Sequence, residues 1–370
     1  MQIYPHPLDY VTGIKYVVTD DFLPFEYSIT PETFHVKELV NLDQMGFNTE
    51  KGEYAVLKMI KRDIEMFKAI EYISSRLNVP ASNIYFYGLK DKDATTESYL
   101  FIKSSLIDKA HLPLTGKNLK VELVGYTSIK PRKTHFKGNY FRVTMCNTCG
   151  DSEFLLKKIV KTLVEKGLPS YYGYQRFGYR RYNSHILGKY ILLGREDLFA
   201  EQFLKTIYPR ESFDSTVNRI AGNYDRLFYE KTYANAKMGS GVRVALKKLH
   251  SILLDAYASY LFNLLLNQLM ELKGFNAFNS KLPMPGCDPG WKVYEQVIRN
   301  EGLDPAALRY LPCFHRNGLF KPLNNVINKQ GECLIYEFQL EPGMYASIVL
   351  REIFKDKLVF EEVIFTQKLF

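Results

Sequence analysis

A strand–helix–strand pattern between residues 54 and 87 constrains the fold of this chain more than any other feature. Residues 54–59 have the composition of a strand, and in the helix that follows, capped by Asp63, apolar residues recur every three or four positions. These apolar residues are Ile64, Phe67, Ile70, Ile73 and Leu77. Residues 84–87 are β-branched and aromatic, as in a buried strand. The pattern predicts an α+β fold in which the helix packs on a sheet.

A carboxylate follows the second of these strands at the point where the backbone turns. Asp91 stands between Lys90 and Lys92 in the run Gly-Leu-Lys-Asp-Lys-Asp. An opposite charge nearby favours the ionised form of a carboxyl group, so we expect the two lysines to hold Asp91 ionised. An ionised carboxylate can act as a nucleophile or a base without a cofactor. The alternative is a solvated turn with no chemical role.

The densest group of basic residues lies between positions 130 and 142, where no acidic residue occurs. Such a group neutralises phosphates well, and the net charge of +9 also favours a polyanionic partner. The alternative is an exposed basic loop without a binding role. The basic residues of this stretch are Lys130, Arg132, Lys133, His135, Lys137 and Arg142.

Aromatic rings and cations are combined between residues 169 and 183. Residues 169–178 have the sequence Pro-Ser-Tyr-Tyr-Gly-Tyr-Gln-Arg-Phe-Gly, and Arg180 and Arg181 follow them. Rings stack on unpaired bases and arginines bind phosphate, so this surface suits single-stranded or unstacked RNA. The same tyrosines would also fit a tightly packed turn.

The remaining periodicity predicts how the chain is organised. Residues 185–315 are mainly helical, and the apolar stripe of residues 242–270 predicts a buried core helix. Strand-like alternation returns at residues 332–340. A chain of 370 residues is long enough for two domains, and its pattern predicts strands towards both ends with a mainly helical stretch between them.

The cysteines and the apolar segments suggest where the protein works. The five cysteines are odd in number and dispersed, so we expect a reducing compartment rather than a disulfide framework. Cys146 and Cys149 form a Cys-x-x-Cys pair, but two further closely spaced ligands for zinc are lacking, so no metal is expected. We find no signal-peptide pattern and no stretch of roughly 20 apolar residues. We therefore expect a cytoplasmic protein without a membrane segment.

Five motifs, in one order between residues 31 and 352, resemble those of the TruD family of RNA pseudouridine synthases. Residues 88–92 resemble the family's catalytic motif, and residues 138–141 resemble its Gly-Asn-x-Phe motif. Residues 169–178 are close to its Pro-Asn-Tyr-Phe-Gly-x-Gln-Arg-Phe-Gly motif. Residues 31–38 and 343–352 resemble its Pro-Glu-Asp-Phe-x-Val-x-Glu and Gly-Ser-Phe-Ala-x-x-Val-x-Arg-Glu segments.

Three positions depart from the family's pattern. Thr33 replaces an Asp, and Ser28 stands where the family commonly carries a Lys, three residues before the proline. Tyr345 stands where an active-site Phe is usual. Tyrosine keeps the ring but adds a hydroxyl group, which needs a partner if it is buried.

The resemblance implies an architecture and a set of site residues. Residues 1–166 and 320–370 would form an α+β catalytic domain with a mixed or antiparallel sheet, and residues 167–319 an inserted, largely helical domain. Asp91 would be the catalytic nucleophile, with Phe141 stacking on the target base and Asn139 supporting Asp91. The other predicted substrate-binding residues are Lys90, Lys92, Tyr345, Arg176 and Gln175. The predicted contacts to the RNA backbone are Arg132, Lys133, Lys137, Arg180 and Arg181.

The resemblance also implies a reaction, the isomerisation of uridine to pseudouridine in RNA. The family's typical target is tRNA, at uridine 13 in the D-arm region, and the target nucleotide would be flipped out of its stack. An isomerisation needs no net redox change or group transfer, so no cofactor is expected, and no obligate protein partner is predicted. The alternative is a catalytically silent RNA-binding protein of the same fold, which Ser28 and Tyr345 favour.

Overall fold

The computed structural model describes residues 5–108, 111–146, 148, 150–178, 182–205, 241–288 and 292–360. The strands of its first half are β1 (Tyr27–Ile29), β2 (Phe34–Val40), β3 (Tyr54–Arg62), β4 (Tyr85–Phe86), β5 (Thr95–Lys103), β6 (Leu114–Gly116), β7 (Leu119–Thr127) and β8 (Phe136–Met145). The later strands are β9 (Leu168–Pro169), β10 (Lys281–Pro283), β11 (His315–Asn317), β12 (Leu319–Phe320), β13 (Leu323–Gln330), β14 (Cys333–Leu340) and β15 (Leu358–Phe360).

Helices flank and interrupt these strands. The α-helices are α1 (Pro7–Thr12), α2 (Met66–Leu77), α3 (Ser152–Lys166), α4 (Ser184–Leu192), α5 (Glu196–Lys205), α6 (Gly241–Lys273), α7 (Glu295–Glu301) and α8 (Ala346–Phe354). The long helix α6 confirms the core helix predicted over residues 242–270. The predicted cap of α2 is wrong, because Asp63 has a φ of 51° and the helix begins at Met66.

A nine-stranded sheet joins segments from both ends of the described chain. Its order is β13-β14-β8-β2-β5-β3-β7-β6, and β4 pairs with β5 beside this path. Strands β2 and β5 run parallel, whereas β8 is antiparallel to both β2 and β14. The predicted α+β class with a mixed sheet is therefore confirmed. Strand β14, from the C-terminal part of the chain, lies beside β8, as expected for a sheet completed from both ends.

Side chains from four strands form a row across the centre of the sheet. Lys61 of β3 pairs with Thr96 of β5, and Thr96 pairs with Val36 of β2. Val36 in turn pairs with Phe141 of β8. Laterally paired residues point to the same face of a sheet, so this row marks one face.

Two apolar clusters cover this face and leave polar side chains between them. On one side, α2 packs on β3 and β5, with Ile70 and Ile73 of the helix against Leu57 and Leu100 of the strands. On the other side, α3 and α8 pack on β2, β8 and β14. Burial of these apolar side chains contributes roughly 1.5–3 kcal/mol each. The central row runs between the two clusters. Its polar residues, Lys61 and Thr96, mark the position of the candidate site.

The segments at the predicted domain boundaries meet in space. Strand β9 pairs with β12, so that Leu168 lies opposite Phe320 and Pro169 opposite Leu319. A single apolar cluster also includes residues from both sides of these boundaries, among them Tyr172 and Phe141. The division into residues 1–166 with 320–370 and residues 167–319 stays a prediction.

The cysteines differ from the sequence-based expectation, because four of them form two disulfides. Cys146 is bonded to Cys333, and Cys287 to Cys313. Met145 of β8 lies opposite Leu334 of β14. Because these strands are antiparallel, Cys146, which follows Met145, lies close to Cys333, which precedes Leu334. The sulfur of Cys146 is thus not available as a thiolate ligand, and Cys149 lies outside the described residues. Within the described ranges, no group of three or more His, Cys, Asp or Glu side chains could hold a metal ion.

One helical stretch has the length and composition of a membrane span. It covers residues Leu249–Phe278, and most of its apolar window is buried inside the protein. Leu261, Leu265 and Leu266 of this stretch are fully buried in the main apolar cluster.

Candidate active site

The Asp91 turn connects β4 to β5 at the centre of the sheet. Gly88 opens the turn with a φ of 67°, a conformation that glycine adopts without strain. Asp91 itself is half-buried, and the buried Ala94 leads the chain into β5. The predicted catalytic carboxylate is therefore held on a short turn between two strands of a rigid sheet.

Lys90 points into the protein rather than towards solvent. Its Nζ lies 2.8 Å from Oε1 of Glu38 and donates to the backbone carbonyl of Tyr87 at 2.6 Å. Glu38 also accepts from the backbone N–H of Tyr99 at 2.9 Å. Burial raises the pKa of Glu38, and the charge of Lys90 opposes that rise. Lys90 thus anchors the turn, and its ammonium is not exposed for the substrate contact expected from the sequence.

Lys61 is the cation that the sequence analysis missed. Its side chain is fully buried on β3, and its Nζ donates to the backbone carbonyl of Asp91 at 2.6 Å. Burial lowers the pKa of Lys61 to about 8, although Asp91 and Asp93 oppose this effect. One feature of the sequence could have identified Lys61 as a buried cation. Leu57, Met59 and Lys61 occupy alternate positions of β3, so Lys61 is a charged residue on the apolar face of that strand.

The pKa of Asp91 is raised rather than lowered by its surroundings. Burial is the main cause, Lys61 and Lys90 oppose it, and Asp93 adds to it. The expected effect of the two flanking lysines is therefore outweighed by loss of water. Lys92 is half-buried and its Nζ lies 3.4 Å from Oδ1 of Asp63. A carboxylate with a raised pKa beside a buried cation is typical of functional sites.

Several buried polar atoms around the turn have no hydrogen-bond partner. Asn139 of β8 lies directly opposite Glu38, and its Oδ1 is one of these atoms. The others nearby are Oγ1 of Thr96 and Oγ of Ser98, on the strand that follows the turn. Buried polar groups in native proteins are almost always hydrogen-bonded, so these atoms offer capacity for a polar ligand or water. The structure thus brings Asn139 into the same polar region as Asp91 and Glu38.

Phe141 lies two residues beyond Asn139 on the same face of β8. Its ring stacks on Phe34 at 5.8 Å between centroids and on Phe338 at 5.2 Å. Only 4% of Phe141 is exposed, so these two rings cover much of its surface. The predicted contact with a target base needs an opening on the side of Phe141 that faces the turn.

The aromatic segment at residues 169–178 and the start of α8 together form an aromatic wall. The ring of Tyr172 lies 5.7 Å from the ring of Tyr345, and Gln175 accepts from the hydroxyl of Ser347 at 2.8 Å. A side chain at position 173 would collide with Ser347, so glycine is required for this close approach. Tyr345 is half-buried at the N-terminal end of α8.

Two arginines stack on the ring of Tyr172 in this wall. Arg316, which is missing from the predicted site, lies 4.2 Å from the ring centroid and donates to the carbonyl groups of Ser170 and Gly343. Arg176 lies 5.5 Å from the same ring and 3.9 Å from a carboxylate oxygen of Asp255. The arginines thus join the aromatic segment to α6 and to the residues just before α8.

The predicted RNA-backbone cations are exposed where the structure describes them. Arg132, Lys133 and Lys137 lie on the loop before β8 and at its first residues. Lys133 is close enough to the helix α6 to favour the charged form of Asp255, whose pKa is nevertheless raised by burial. Arg180 and Arg181 lie outside the described residues.

The fold is that of a pseudouridine synthase. It matches a solved Methanosarcina mazei protein assigned as tRNA pseudouridine synthase D (TruD), with a TM-score of 0.62 and 21% identity, over 93% of this chain and 97% of that chain. The family model "tRNA pseudouridine synthase D (TruD)" matches residues 26–280, more than half of the chain. This chain belongs to the TruD family.

Curated relatives match the chain over most of its length. The "tRNA pseudouridine synthase D" of Aquifex aeolicus is 27% identical, over 88% of this chain and 96% of its own. The "Probable tRNA pseudouridine synthase D" of Saccharolobus solfataricus is 29% identical, over 95% of this chain and 98% of its own.

Proposed function

We propose that this protein isomerises uridine to pseudouridine in tRNA and that Asp91 drives the reaction. The observation that carries the proposal is the half-buried Asp91 carboxylate, held between β4 and β5 beside the buried Lys61. The family match supports the reaction, because its model and the curated relatives are named as tRNA pseudouridine synthases.

The chemistry is balanced within the substrate. The bond between N1 of uracil and C1′ of ribose breaks, the base rotates, and a bond forms between C5 and C1′. The proton on C5 is lost and N1 gains a proton, so no oxidant, reductant or transferred group is needed. Asp91 acts as the nucleophile of this sequence, and Asn139 orients the polar edge of the base through its unpartnered Oδ1. Phe141 contacts the flipped base.

The RNA lies across the exposed basic loop and the aromatic wall. Arg132, Lys133 and Lys137 neutralise backbone phosphates, and Tyr345 and Gln175 line the entrance to the site. Phosphate contacts of this kind position the RNA without reading its sequence. Uridine 13 in the D-arm region of tRNA is the proposed target, and the cytoplasm is the proposed site of action. The insert formed by residues 167–319 supplies the second side of the RNA cleft.

The test is to map pseudouridine in unmodified tRNA transcripts after incubation with the wild-type protein and with Asp91→Asn. The wild type should make a new pseudouridine, and the variant should make none while its RNA affinity stays within about twofold. Asp63→Asn is the matched control, since it removes a mostly exposed carboxylate near the same turn. Substantial turnover by Asp91→Asn would refute the role of Asp91.

A catalytically silent RNA-binding protein is the second candidate. Ser28 favours it, because this residue lies in β1 opposite Val359 and supplies no cation. Lys61 weakens it, since a buried cation is nevertheless present beside Asp91. Binding of all tRNA transcripts without pseudouridine formation in any of them, at any pH between 6 and 9, would support the silent protein.

A further inference from the structure

Lys61 carries a buried ammonium group. The reaction proposed above gives this group no role and requires no contact between it and the RNA. It is 0% exposed, and its Nζ donates to the carbonyl oxygen of Asp91 at 2.6 Å. Within the part of the chain that the structure describes, Lys61 forms no salt bridge with a carboxylate. Its long side chain therefore ends at the backbone of the Asp91 turn.

An ammonium group in this position is costly for folding alone. The interior solvates charge poorly, and an apolar side chain of similar volume would fill the same space at a lower cost. Met59 shows this, because it points to the same face of β3 two residues earlier and lies in the apolar cluster under α2. A cation kept at position 61 therefore indicates an interaction with a nearby charge or dipole.

The nearby charges identify the group on which Lys61 acts. Burial raises the pKa of Asp91, and Lys61 opposes that rise more strongly than Lys90 does. The charged groups that influence Lys61 itself are Asp91, Asp93, Lys90 and Glu65, and the charge of Asp91 has the largest effect among them. Lys90 is paired with Glu38 at 2.8 Å, whereas Lys61 ends at the Asp91 backbone, and of the cations in the described residues Lys61 acts most strongly on Asp91.

We propose that Lys61 is a positioning residue for pseudouridine formation: its ammonium group holds the Asp91 turn through the backbone carbonyl and supplies the positive charge that keeps the Asp91 carboxylate ionised before attack. This inference rests on the proposed function of Asp91. The side chain does not touch the substrate, since the strands and the turn enclose it completely. Its effect on the reaction passes through the ionisation and placement of Asp91.

The test compares Lys61→Met, Lys61→Arg and the control Lys58→Met. Lys58 lies on the same strand but on the opposite face, where it pairs with Glu97 at 3.0 Å. Single-turnover rates, RNA affinity and the fraction of folded protein are measured for each variant between pH 5 and pH 10. Lys61→Met should lose about 100-fold or more in rate at pH 7, as expected when one preorganised charge is removed, with RNA affinity retained. Lys58→Met should keep the wild-type rate.

The pH profiles separate a positioning role from a structural one. Without the cation, the acidic limb of the Lys61→Met profile should move at least one pH unit upwards, because Asp91 then ionises only at higher pH. The wild type should lose activity above about pH 8, where Lys61 releases its proton. In Lys61→Arg, which cannot lose its charge, this alkaline limb should vanish.

Two results would overturn the inference. One is a Lys61→Met rate that falls only in proportion to the folded fraction. The other is an alkaline limb that is the same in Lys61→Arg and in the wild type. A ¹³C NMR titration of the Asp91 carboxyl group provides a readout that needs no turnover, and there an unchanged pKa in Lys61→Met would also refute it. A wild type that makes no pseudouridine, combined with a raised Asp91 pKa in the variant, would refute the proposed function alone.

Discussion

The Nζ of Lys90 lies 2.8 Å from Oε1 of Glu38, and both side chains are buried next to the Asp91 turn. The last paired residues of the parallel strands β2 and β5 are Lys37 and Glu97. The ion pair lies just beyond them, because Glu38 is the next residue of β2. The turn that carries Asp91, the proposed nucleophile, is therefore anchored by an interior ion pair. Removing the Lys90–Glu38 ion pair should therefore lower the stability of the protein more than it weakens RNA binding.

Lys90→Met should destabilise the protein by about 3–5 kcal/mol at pH 7, because it leaves the Glu38 carboxylate buried without a cation. The double variant with Glu38→Gln should recover part of this loss. Urea unfolding of both single variants and the double variant gives the coupling energy between the two residues. A coupling energy near zero would show that the pair does not hold the turn.

Phe141→Ala should lower both stability and turnover, for different reasons. Removing a ring packed between Phe34 and Phe338 leaves a cavity that costs roughly 3–5 kcal/mol. Loss of stacking on the base should add roughly 1–3 kcal/mol to the barrier of the reaction. Phe338→Ala is the control, since it makes a similar cavity one strand further from Asp91. Equal single-turnover rates of the two folded variants would mean that Phe141 is only a core residue.

The stability of the protein should respond to pH through Lys61. Its pKa falls from 10.5 to about 8 on folding, so the unfolded chain binds more protons between these two pH values. The free energy of unfolding of the wild type should therefore rise across this range, by about 3 kcal/mol relative to Lys61→Met. Denaturant titrations at pH 7.5 and pH 10.5 measure the difference, with Lys58→Met as the control. Parallel changes in wild type and Lys61→Met would contradict this prediction.

The exposed basic loop should determine how RNA affinity depends on salt. The combined variant Arg132→Ala, Lys133→Ala and Lys137→Ala should bind all tRNA transcripts more weakly and by a similar factor. The slope of log affinity against log salt should become shallower by about 0.7–0.9 for each phosphate that the variant no longer neutralises. Filter binding over a range of salt concentrations measures this slope, and replacing the exposed Lys117, which lies at the opposite end of β7 from this loop, provides the control. An unchanged slope would exclude these residues from the RNA interface.

The two disulfides should make the protein sensitive to reductants. Each pair links segments distant in the chain, with sequence separations of 187 and 26 residues, and loss of a native disulfide typically costs about 2–5 kcal/mol. A reductant should lower the midpoint of thermal unfolding of the wild type. The variant with Ser at positions 146, 287, 313 and 333 should show the lower midpoint with or without reductant. A wild-type midpoint that does not respond to reductant would show that the cysteines are unpaired in solution.

Much of the fold could be predicted because its signals are local. The three- and four-residue spacing of apolar side chains located α2, although its N-cap was placed two residues early, at Asp63 instead of Glu65. Alternation at residues 332–340 located β14, and the charged turn after residues 84–87 located Asp91. Periodicity and turn chemistry depend on neighbours within a few residues, so one sequence is sufficient to show them.

The surroundings of Asp91 were decided by the tertiary structure. Lys61 lies 30 residues before Asp91 and meets it only because β3 pairs with β5, and Lys90 turns inwards only because Glu38 of β2 lies there. Cys146 and Cys333 pair because β8 and β14 are neighbours, although 187 residues separate them. By itself the sequence determined the strands near residues 84–87 and 332–340, the body of α2 and the charged turn that carries Asp91. Which charges meet there, and how much water they lose, follows from strand register and burial, and these arise only when distant segments pack together.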